Sequence, residues 1–295
     1  MTTQRPPSLD PTAADRWAGM ACATSPWLHE EVAGRMEDRL SLIRLQPRSW
    51  AHWTPVAGGL QVHQRLAQRY PDADCWLVED RAQRAQQALA RLSPRWWQPR
   101  RWGGARVQAG VPPAGTAQLV WANMALHMAA DPQALIARWH QTLAVDGFLM
   151  FSCLGPDTLR QLRIIYQQQG WPPGSHDYTD MHDWGDMLLG AGFAEPVMDM
   201  ERITLQFPSP ERMLQELRGL GRNLHPQRFP ALRGRRWRQT LLQALAAGPL
   251  ELEFEIVYGH AFKPAPRVPV QAQTVLTLEQ FRQGLRRPHT GSAEG

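Results

Sequence analysis

The chain has 295 residues, a formal net charge of +5 and a hydrophobic content of 43%. This apolar content excludes disorder throughout, and no apolar run approaches the roughly 18 residues needed to span a bilayer. Met1 to Asp10 contains no apolar segment of a secretory signal, and the three cysteines form no CxxC pair. We therefore expect a reduced, cytoplasmic protein without a membrane segment or a disulfide framework.

The first 24 residues are rich in Pro, Thr and Ala and lack a sustained hydrophobic period, which predicts a flexible arm over 1–24. A helix is predicted within 25–44, where apolar residues recur every four positions from Leu28 to Leu40. Ser25 is its expected cap and Pro26 its expected first residue.

Strand-like and helix-like segments then alternate along the chain. The predicted strands are 49–56, 74–78, 106–111, 118–122 and 148–154, and the predicted helices are 60–69, 81–91 and one that begins at Asp131-Pro132. This alternation predicts right-handed βαβ crossovers and therefore a mostly parallel sheet.

The second half continues with predicted helices at 157–168 and 181–190, a strand at 197–207, an Arg-rich helical insertion or lid over 208–247 and a last strand at 250–261. That strand alternates apolar residues with glutamates, as an antiparallel or edge strand does. The predicted fold class is α/β: a Rossmann-like, mostly parallel seven-stranded sheet with one antiparallel strand and helices on both faces. We expect it to occupy 25–265, followed by a polar tail over 266–295.

The segment from Gln118 to Arg163, which begins QLVWANMALHMAADP and ends FLMFSCLGPDTLRQLR, resembles the malonyl-[acyl-carrier protein] O-methyltransferase family of biotin synthesis. Further similar segments are Asp180–Met200, Pro210–Asn223, Phe254–Pro264 and, more loosely, Pro26–Leu40. The resemblance implies a class I methyltransferase that uses S-adenosylmethionine and methylates the free carboxylate of a malonyl thioester. Such a reaction needs little acid–base help, because the carboxylate is already nucleophilic, and positioning and exclusion of water can supply catalysis.

The family's cofactor motif is degenerate in this chain. The family has an acidic residue and a glycine-rich loop after the first strand, where the glycines let the backbone approach the cofactor's amino-acid moiety and the acid faces its cationic end. By position, Thr54 stands where the family has the acid, and Val56, Gly58 and Leu60 stand where the family has glycines. Gly58 is retained, and Gly59 lies beside it off the pattern, so these two are the loop's candidate cofactor-binding residues.

Three further positions are candidates for cofactor binding by the same resemblance. Glu79 ends the second strand, where the family has the acid that accepts hydrogen bonds from the ribose hydroxyls. Gln108 falls where the family has an acidic residue near the adenine. Asn123 lies in the loop after the fourth strand, where its side chain can line the cofactor pocket.

His127 follows the fourth strand and is expected to border the cleft, because ligands of such sheets bind at the carboxyl ends of the strands. It is a candidate base or carboxylate-orienting residue, with a polar lining residue as the alternative. The His and Asp residues of 176–186 have metal-ligating side chains, but a helix start capped by Asp180 also explains them, and no metal is predicted.

Seven arginines and no acidic residue lie between Arg218 and Arg238. The candidates for partner binding among them are Arg218, Arg222, Arg228, Arg235 and Arg236. Such a cluster suits docking of an acidic acyl carrier protein, and it is also compatible with nucleic acid. The alternative is a solvated basic face that reflects a compositional bias toward arginine.

Two hypotheses for the function stay open at this point. In the first, the chain is an S-adenosylmethionine-dependent methyltransferase that acts on a carboxylate of a carrier-bound acyl group. In the second, it is a catalytically inactive protein of the same fold that binds an acidic partner, a carrier protein or a nucleic acid, through its arginine-rich face.

Overall fold

A computed structural model of the chain describes residues 9–20, 24–93 and 106–266. The first of the chain's two units, Met1–Pro264, contains all the helices and strands given below. The predicted tail over 266–295 lies outside the described residues apart from Pro266.

A seven-stranded sheet forms the centre of this unit, with the strand order β3-β2-β1-β4-β5-β7-β6. β1 to β5 pair in parallel, whereas β7 is antiparallel to both β5 and β6. The strands are β1 Ser49–Trp53, β2 Asp74–Val78, β3 Val107–Ala109, β4 Ala117–Ala122, β5 Leu143–Leu154, β6 Ala194–Gln206 and β7 Glu251–Phe262. The predicted α/β, Rossmann-like sheet with one antiparallel strand is confirmed.

Ten helices belong to the described part of the chain. They are α1 Pro11–Gly19, α2 Trp27–Arg39, α3 Pro55–Gly58, α4 Leu60–Arg69, α5 Ala82–Leu92, α6 Pro132–Thr142, α7 Arg160–Gln168, α8 Met181–Gly190, α9 Pro210–Leu220 and α10 Arg235–Ala246. No helix in this part is both long enough and apolar enough to cross a membrane.

The central strands β1 and β4 and the second half of β5 are buried on both faces, as parallel strands covered by helices on both sides must be. Trp50 and Trp121 belong to one apolar cluster, which also takes in residues of α2 and α4. Trp53 and Trp139 belong to a second cluster, shared with α6 and α8. Burial on both faces fixes the register of the strands, and the carboxyl ends of β1, β2, β4 and β5 therefore lie along one edge of the sheet.

The segment 1–24 differs from the flexible arm predicted for it. Residues 11–19 form α1, and Asp10 caps this helix by accepting hydrogen bonds from the N–H groups of Thr12 and Ala13. Leu9 and Ala14 pack against Leu224, beyond the end of α9. Asp10-Pro11 is the same kind of helix start as Asp131-Pro132, but no sustained hydrophobic period follows it, and so the helix was not predicted.

The Arg-rich segment 208–247 is divided into two helices. α9 ends at Leu220 before Gly221, α10 begins at Arg235, and the residues between them include Pro226 and Pro230. Proline has no N–H group for a helical hydrogen bond, so a continuous helix is excluded there. The two helices lie over the carboxyl end of the sheet beside α7, which places the arginines near the candidate site.

Candidate functional site

The chain turns at the carboxyl edge of the sheet through Thr54–Gly59, which we call the cofactor loop. Thr54 has a left-handed backbone with φ of 51°, and its N–H group donates to the carbonyl oxygen of Val78 at 2.8 Å. Gly59 has φ of 141°, a value that favours glycine, and α4 begins directly after it. The loop therefore lies where ligands bind in open α/β sheets.

Glu79, at the end of β2, lies against this loop. Its Oε1 atom accepts a hydrogen bond from the N–H group of Val56 at 3.0 Å. Burial raises the pKa of the Glu79 carboxyl, with a smaller opposing effect from that hydrogen bond. Its second oxygen has no hydrogen-bond partner among the described residues and can accept from a hydroxyl of a ligand.

Hydrogen bonds of Asn123 and a close backbone approach at Gly58 hold the loop against β4 and β5. The side chain of Asn123 is fully buried, and its Nδ2 donates to the carbonyl oxygen of Gly58 and, at 2.8 Å, to that of His29. Its Oδ1 accepts from the hydroxyl of Ser152 at 2.6 Å. A Cβ atom at Gly58 would lie 2.9 Å from the carbonyl oxygen of Asn123, so glycine permits this close approach. The amide of Asn123 thus holds the loop from behind, and the cofactor-lining role predicted for this residue stays a prediction.

Ser25 and the first turn of α2 cover the other side of the loop. The hydroxyl of Ser25 donates to the carbonyl oxygen of Val56 at 3.1 Å and accepts from the N–H group of Leu60 at 2.9 Å. Burial lowers the pKa of His29 to about 4, so this ring is neutral at pH 7. Its Nδ1 atom lies 2.9 Å from the carbonyl oxygen of Ala57, to which it donates.

Glu30 completes this contact and was not a sequence candidate. Its carboxylate oxygens accept hydrogen bonds from the N–H groups of Leu60, Gln61 and Val62 at 2.8 to 3.3 Å. One signal in the sequence could have pointed to such a group. α4 begins after a glycine that offers no capping side chain, so its first N–H groups need acceptors from elsewhere.

Ser25 does not cap α2, contrary to the prediction. The residue before α2 is Pro26, which makes no side-chain capping bond, while Ser25 is engaged with the cofactor loop. Gln108 lies half-buried on β3, at the same edge of the sheet as Glu79, and makes no side-chain hydrogen bond within the described residues. The structure therefore brings Gly58, Gly59, Glu79 and Asn123 together and leaves Gln108 on the neighbouring strand.

A largely apolar pocket of about 220 Å³ opens beside the carboxyl ends of β4 and β5, between α7, α9 and α10. Its walls are leucines and aromatic rings, and three arginines, Arg218, Arg222 and Arg238, belong to its lining. His176 is buried in the same lining, and its Nε2 atom has no partner within hydrogen-bond distance among the described residues. A cavity of this kind suits an apolar group joined to an anionic one.

His127 lines the pocket, as its position after β4 predicts, and it is buried. Its Nδ1 atom accepts from the N–H group of Leu154 at 3.4 Å, and no carboxylate faces it among the described residues. Burial lowers the pKa of His127 well below its usual value, and the neighbouring rings of His176 and His29 lower it further. A neutral lining residue is therefore the role that its surroundings favour.

The predicted partner-binding arginines fall into two groups. Arg228 is engaged within the chain, where it pairs with Asp10 at 2.5 Å and ties the lid region to the start of α1. Arg218, Arg222, Arg235 and Arg236 are exposed and form no ion pair within the part of the chain that the structure describes. Arg222 also lies over the ring of Trp17 at 5.4 Å. Four of the five candidates are therefore open to an acidic partner, and Arg228 is not.

The His and Asp residues of 176–186 do not form a metal centre in the described structure. Asp180 caps α8 by accepting from the N–H group of His182 at 2.8 Å, and Asp183 lies in the first turn of that helix. No group of three potential metal ligands occurs among the described residues.

Solved structures place this sheet in a known fold. A putative methyltransferase from Bacillus halodurans aligns with a TM-score of 0.55 over 80% of this chain and 100% of that one, at 12% identity. The YcgJ protein from Bacillus subtilis aligns with a TM-score of 0.53 over 79% of this chain and 99% of that one, at 11% identity. The fold is that of the Rossmann-like, class I methyltransferases. No family model matches the chain.

Sequence relatives define the family within this fold. The malonyl-[acyl-carrier protein] O-methyltransferase of Gallionella capsiferriformans is 38% identical over 259 residues, which are 82% of this chain and 86% of that protein. The protein of the same name from Laribacter hongkongensis is 36% identical over 261 residues, 81% of this chain and 84% of that protein. The chain belongs to the malonyl-[acyl-carrier protein] O-methyltransferase family.

The methyl donor of this class of enzymes is S-adenosylmethionine, and the loop fits it in part. At the nucleoside end, Glu79 keeps one carboxylate oxygen for the ribose hydroxyls. At the amino-acid end, Thr54 and the fully buried Val56 lie where the family resemblance leads us to expect an acid and a glycine. The N–H groups that begin α4 are already bonded to Glu30. The nucleoside end therefore fits this arrangement, and the amino-acid end does not.

Proposed function

We propose that this chain methylates a free carboxylate of an acyl group bound to an acyl carrier protein, with S-adenosylmethionine as the donor. The observation that carries the proposal is the apolar pocket with unpaired arginines at the carboxyl edge of β4 and β5. Membership of the malonyl-[acyl-carrier protein] O-methyltransferase family supports it.

The pocket supplies the two contacts that such a substrate needs. The leucines of α7 and α9 remove the acyl and thioester part from water. Arg218 and Arg222 carry guanidinium groups without carboxylate partners in the described structure, and these can hold a substrate carboxylate by charge-assisted hydrogen bonds. Bound S-adenosylmethionine supplies an activated methyl group, so that the chain's own task is to position the carboxylate and exclude water.

The exposed arginines outside the pocket extend the same argument to the carrier protein. Arg235 and Arg236 lie in the first turn of α10, on the element that also contributes Trp237 and Arg238 to the pocket. A basic surface beside the pocket mouth steers an acidic carrier toward it and raises the association rate more than the final affinity. This proposal places carrier docking and substrate binding on neighbouring surfaces.

The test is a methyl-transfer assay with malonyl-carrier protein and S-adenosylmethionine, in which mass spectrometry detects the methyl ester. Leu217→Trp fills the pocket and is expected to lower kcat/KM by about tenfold or more. Leu232→Trp is the matched control, because Leu232 is 98% exposed and lies outside the pocket lining. Absence of the methyl ester with malonyl-carrier and with longer dicarboxylic acyl-carriers would contradict the proposal.

One observation favours a second candidate function, the binding of a carrier without catalysis. The backbone groups of the cofactor loop are bonded to Ser25 and His29, and those that begin α4 are bonded to Glu30, without any ligand. A protein of this kind would bind the acyl-carrier in the pocket and release it unchanged. Micromolar carrier binding that Leu217→Trp abolishes, with no methyl ester formed, would establish this alternative. Steeply salt-dependent RNA binding without a response to carrier would instead favour nucleic acid.

A further inference from the structure

The first three N–H groups of α4 are bonded to a carboxylate that the chain itself supplies. The first N–H groups of any helix lack partners within the helix and carry partial positive charge, so they attract a carboxylate or phosphate. In α4 these groups belong to Leu60, Gln61 and Val62, and all three donate to the single carboxylate of Glu30. The acceptor comes from α2, a separate helix, and not from the residue that precedes α4.

Glu30 is held in this place from several sides. Ser25 and His29 bond the start of α2 to the cofactor loop. At the other end of α2, Arg35 pairs with Glu201 at 3.0 Å and Arg39 pairs with Asp199 at 2.7 Å, which ties the helix to β6. α2 therefore cannot swing away from α4 without breaking contacts at both of its ends.

The occupied donors have a direct consequence for the cofactor. The amino-acid end of S-adenosylmethionine carries an α-carboxylate, which is the kind of group that the start of α4 attracts. Two carboxylates cannot share these three N–H groups, because the donors are already used and like charges repel. A nucleoside that lacks the amino-acid end has no such conflict, and Glu79 remains available to its ribose.

We infer that Glu30 is an internal competitor for the cofactor's α-carboxylate and determines which adenosyl ligands this chain binds. Ligands with the amino-acid end bind only by displacing Glu30, whereas 5′-methylthioadenosine, which lacks that end, binds without displacing it. The inference rests on the proposed use of S-adenosylmethionine, and it makes Glu30 a specificity-determining residue of that site.

Calorimetric titration with S-adenosylhomocysteine and with 5′-methylthioadenosine tests the inference, because both are binding measurements that need no turnover. Glu30→Ala is expected to raise the affinity for S-adenosylhomocysteine by about tenfold or more, which corresponds to about 1.4 kcal/mol. The affinity for 5′-methylthioadenosine is expected to change by less than about twofold. Glu30→Gln keeps an acceptor for α4 without the charge, so it serves if the alanine variant is unstable, and its gain is expected to be smaller.

Glu31→Ala is the matched control. Glu31 is the next residue of α2 and pairs with Arg35 at 2.9 Å without contacting the cofactor loop. Its removal is expected to leave both affinities unchanged. Circular dichroism confirms that each variant is folded before titration.

Three outcomes would overturn the inference. Equal affinity of wild type and both Glu30 variants for S-adenosylhomocysteine would make Glu30 only a helix cap. An equal gain for both ligands would indicate general opening of the loop, and absence of binding of either ligand to every variant would show that no adenosyl site exists to compete for. If the predicted affinity ratio is found but no methyl ester forms in the transfer assay, the proposed function fails while the role of Glu30 stands.

Discussion

The cofactor loop and the apolar pocket both lie at the carboxyl edge of the sheet, yet they differ in whether their polar groups have hydrogen-bond partners within the chain. The backbone groups of the cofactor loop are bonded to the side chains of Ser25, His29, Glu79 and Asn123, and the first N–H groups of α4 are bonded to Glu30. In the pocket, Arg218 and Arg222 have no carboxylate partner, and Nε2 of His176 has no partner, within the described residues. The backbone groups of the loop are thus bonded within the chain, whereas some polar groups of the pocket have no such partner among the described residues.

This difference separates two kinds of polar residue that look alike in a sequence. A buried polar group that is fully bonded stabilises the fold, and its loss costs the desolvation of its partners. A charged group left unpaired at a pocket mouth contributes little to stability and is available for recognition. The predictions below use this contrast, with the expected effects in decreasing order.

The largest effect is expected from pH, because both regions contain neutral buried histidines. Burial lowers the pKa values of His29 and His63 on the loop side, and of His176 in the pocket, to about 4. Between the unfolded value near 6.5 and this folded value, only the unfolded chain binds the proton. The free energy of unfolding therefore has its full value above about pH 6.5. It falls as the pH is lowered toward 4, by about 3 kcal/mol for each buried histidine.

Urea unfolding between pH 7.5 and pH 4 measures this loss. His29→Gln and His176→Gln are each expected to make the free energy of unfolding less dependent on pH, one variant reporting on each region. His182→Gln is the control because the side chain of His182 is exposed on α8. An unchanged pH dependence in both test variants would show that these rings are not the groups that take up protons on unfolding.

Asn123→Ala tests whether the loop side is built for stability. The substitution leaves the carbonyl groups of Gly58 and His29 and the hydroxyl of Ser152 without their buried partner. We expect a loss of about 3 kcal/mol in the free energy of unfolding, since each unsatisfied buried group costs about 1 kcal/mol or more. Asn223→Ala removes two hydrogen bonds beside the pocket, to the carbonyl oxygen of Pro173 and from the N–H group of His225. Because Asn223 is only half-buried, we expect a cost of about 1 kcal/mol. Equal losses in the free energy of unfolding of the two variants would show that the loop side is not more important for stability than the pocket side.

The pocket arginines are expected to show the opposite behaviour. Arg218→Ala combined with Arg222→Ala should weaken the binding of malonyl-carrier by about tenfold, because two charge-assisted contacts are lost. The free energy of unfolding should change by less than about 1 kcal/mol. Surface plasmon resonance at two salt concentrations measures the affinity. Unchanged carrier binding would exclude these residues from substrate recognition.

The smallest effect is expected for the association rate with the carrier protein, in a comparison of two arginines that the sequence does not distinguish. Arg235 is exposed on α10, whereas Arg228 pairs with Asp10. Arg235→Ala is expected to lower the association rate with the carrier by about twofold to threefold at low salt. Arg228→Ala should leave that rate unchanged and lower the free energy of unfolding, since it breaks the tie to α1. The reverse result would place the docking surface at the start of the chain.

The fold could be predicted because its signals are local. β2 and the helices α4 and α8 were predicted at their observed bounds, since a buried parallel strand is a short apolar run and an amphipathic helix has its own period. The antiparallel β7 was predicted because its glutamates alternate with apolar residues. The place of Glu79 directly after β2 could be predicted for a similar reason, whereas its role in cofactor binding rests on the family resemblance and stays a prediction.

The features that the sequence did not show depend on contacts between distant residues. Asn123 follows β4 as predicted, but only the packing of α2 and Ser152 around it shows that its amide is fully used. Glu30 is an ordinary helical glutamate in the sequence, and only the approach of α2 to α4 makes it an acceptor for three N–H groups. Local hydrophobic period and chain direction determine which elements form and where their ends meet. Which polar groups are satisfied there, and which are left for a ligand, is decided by the tertiary structure, because a hydrogen bond requires its two groups to meet in space however far apart they lie in the chain.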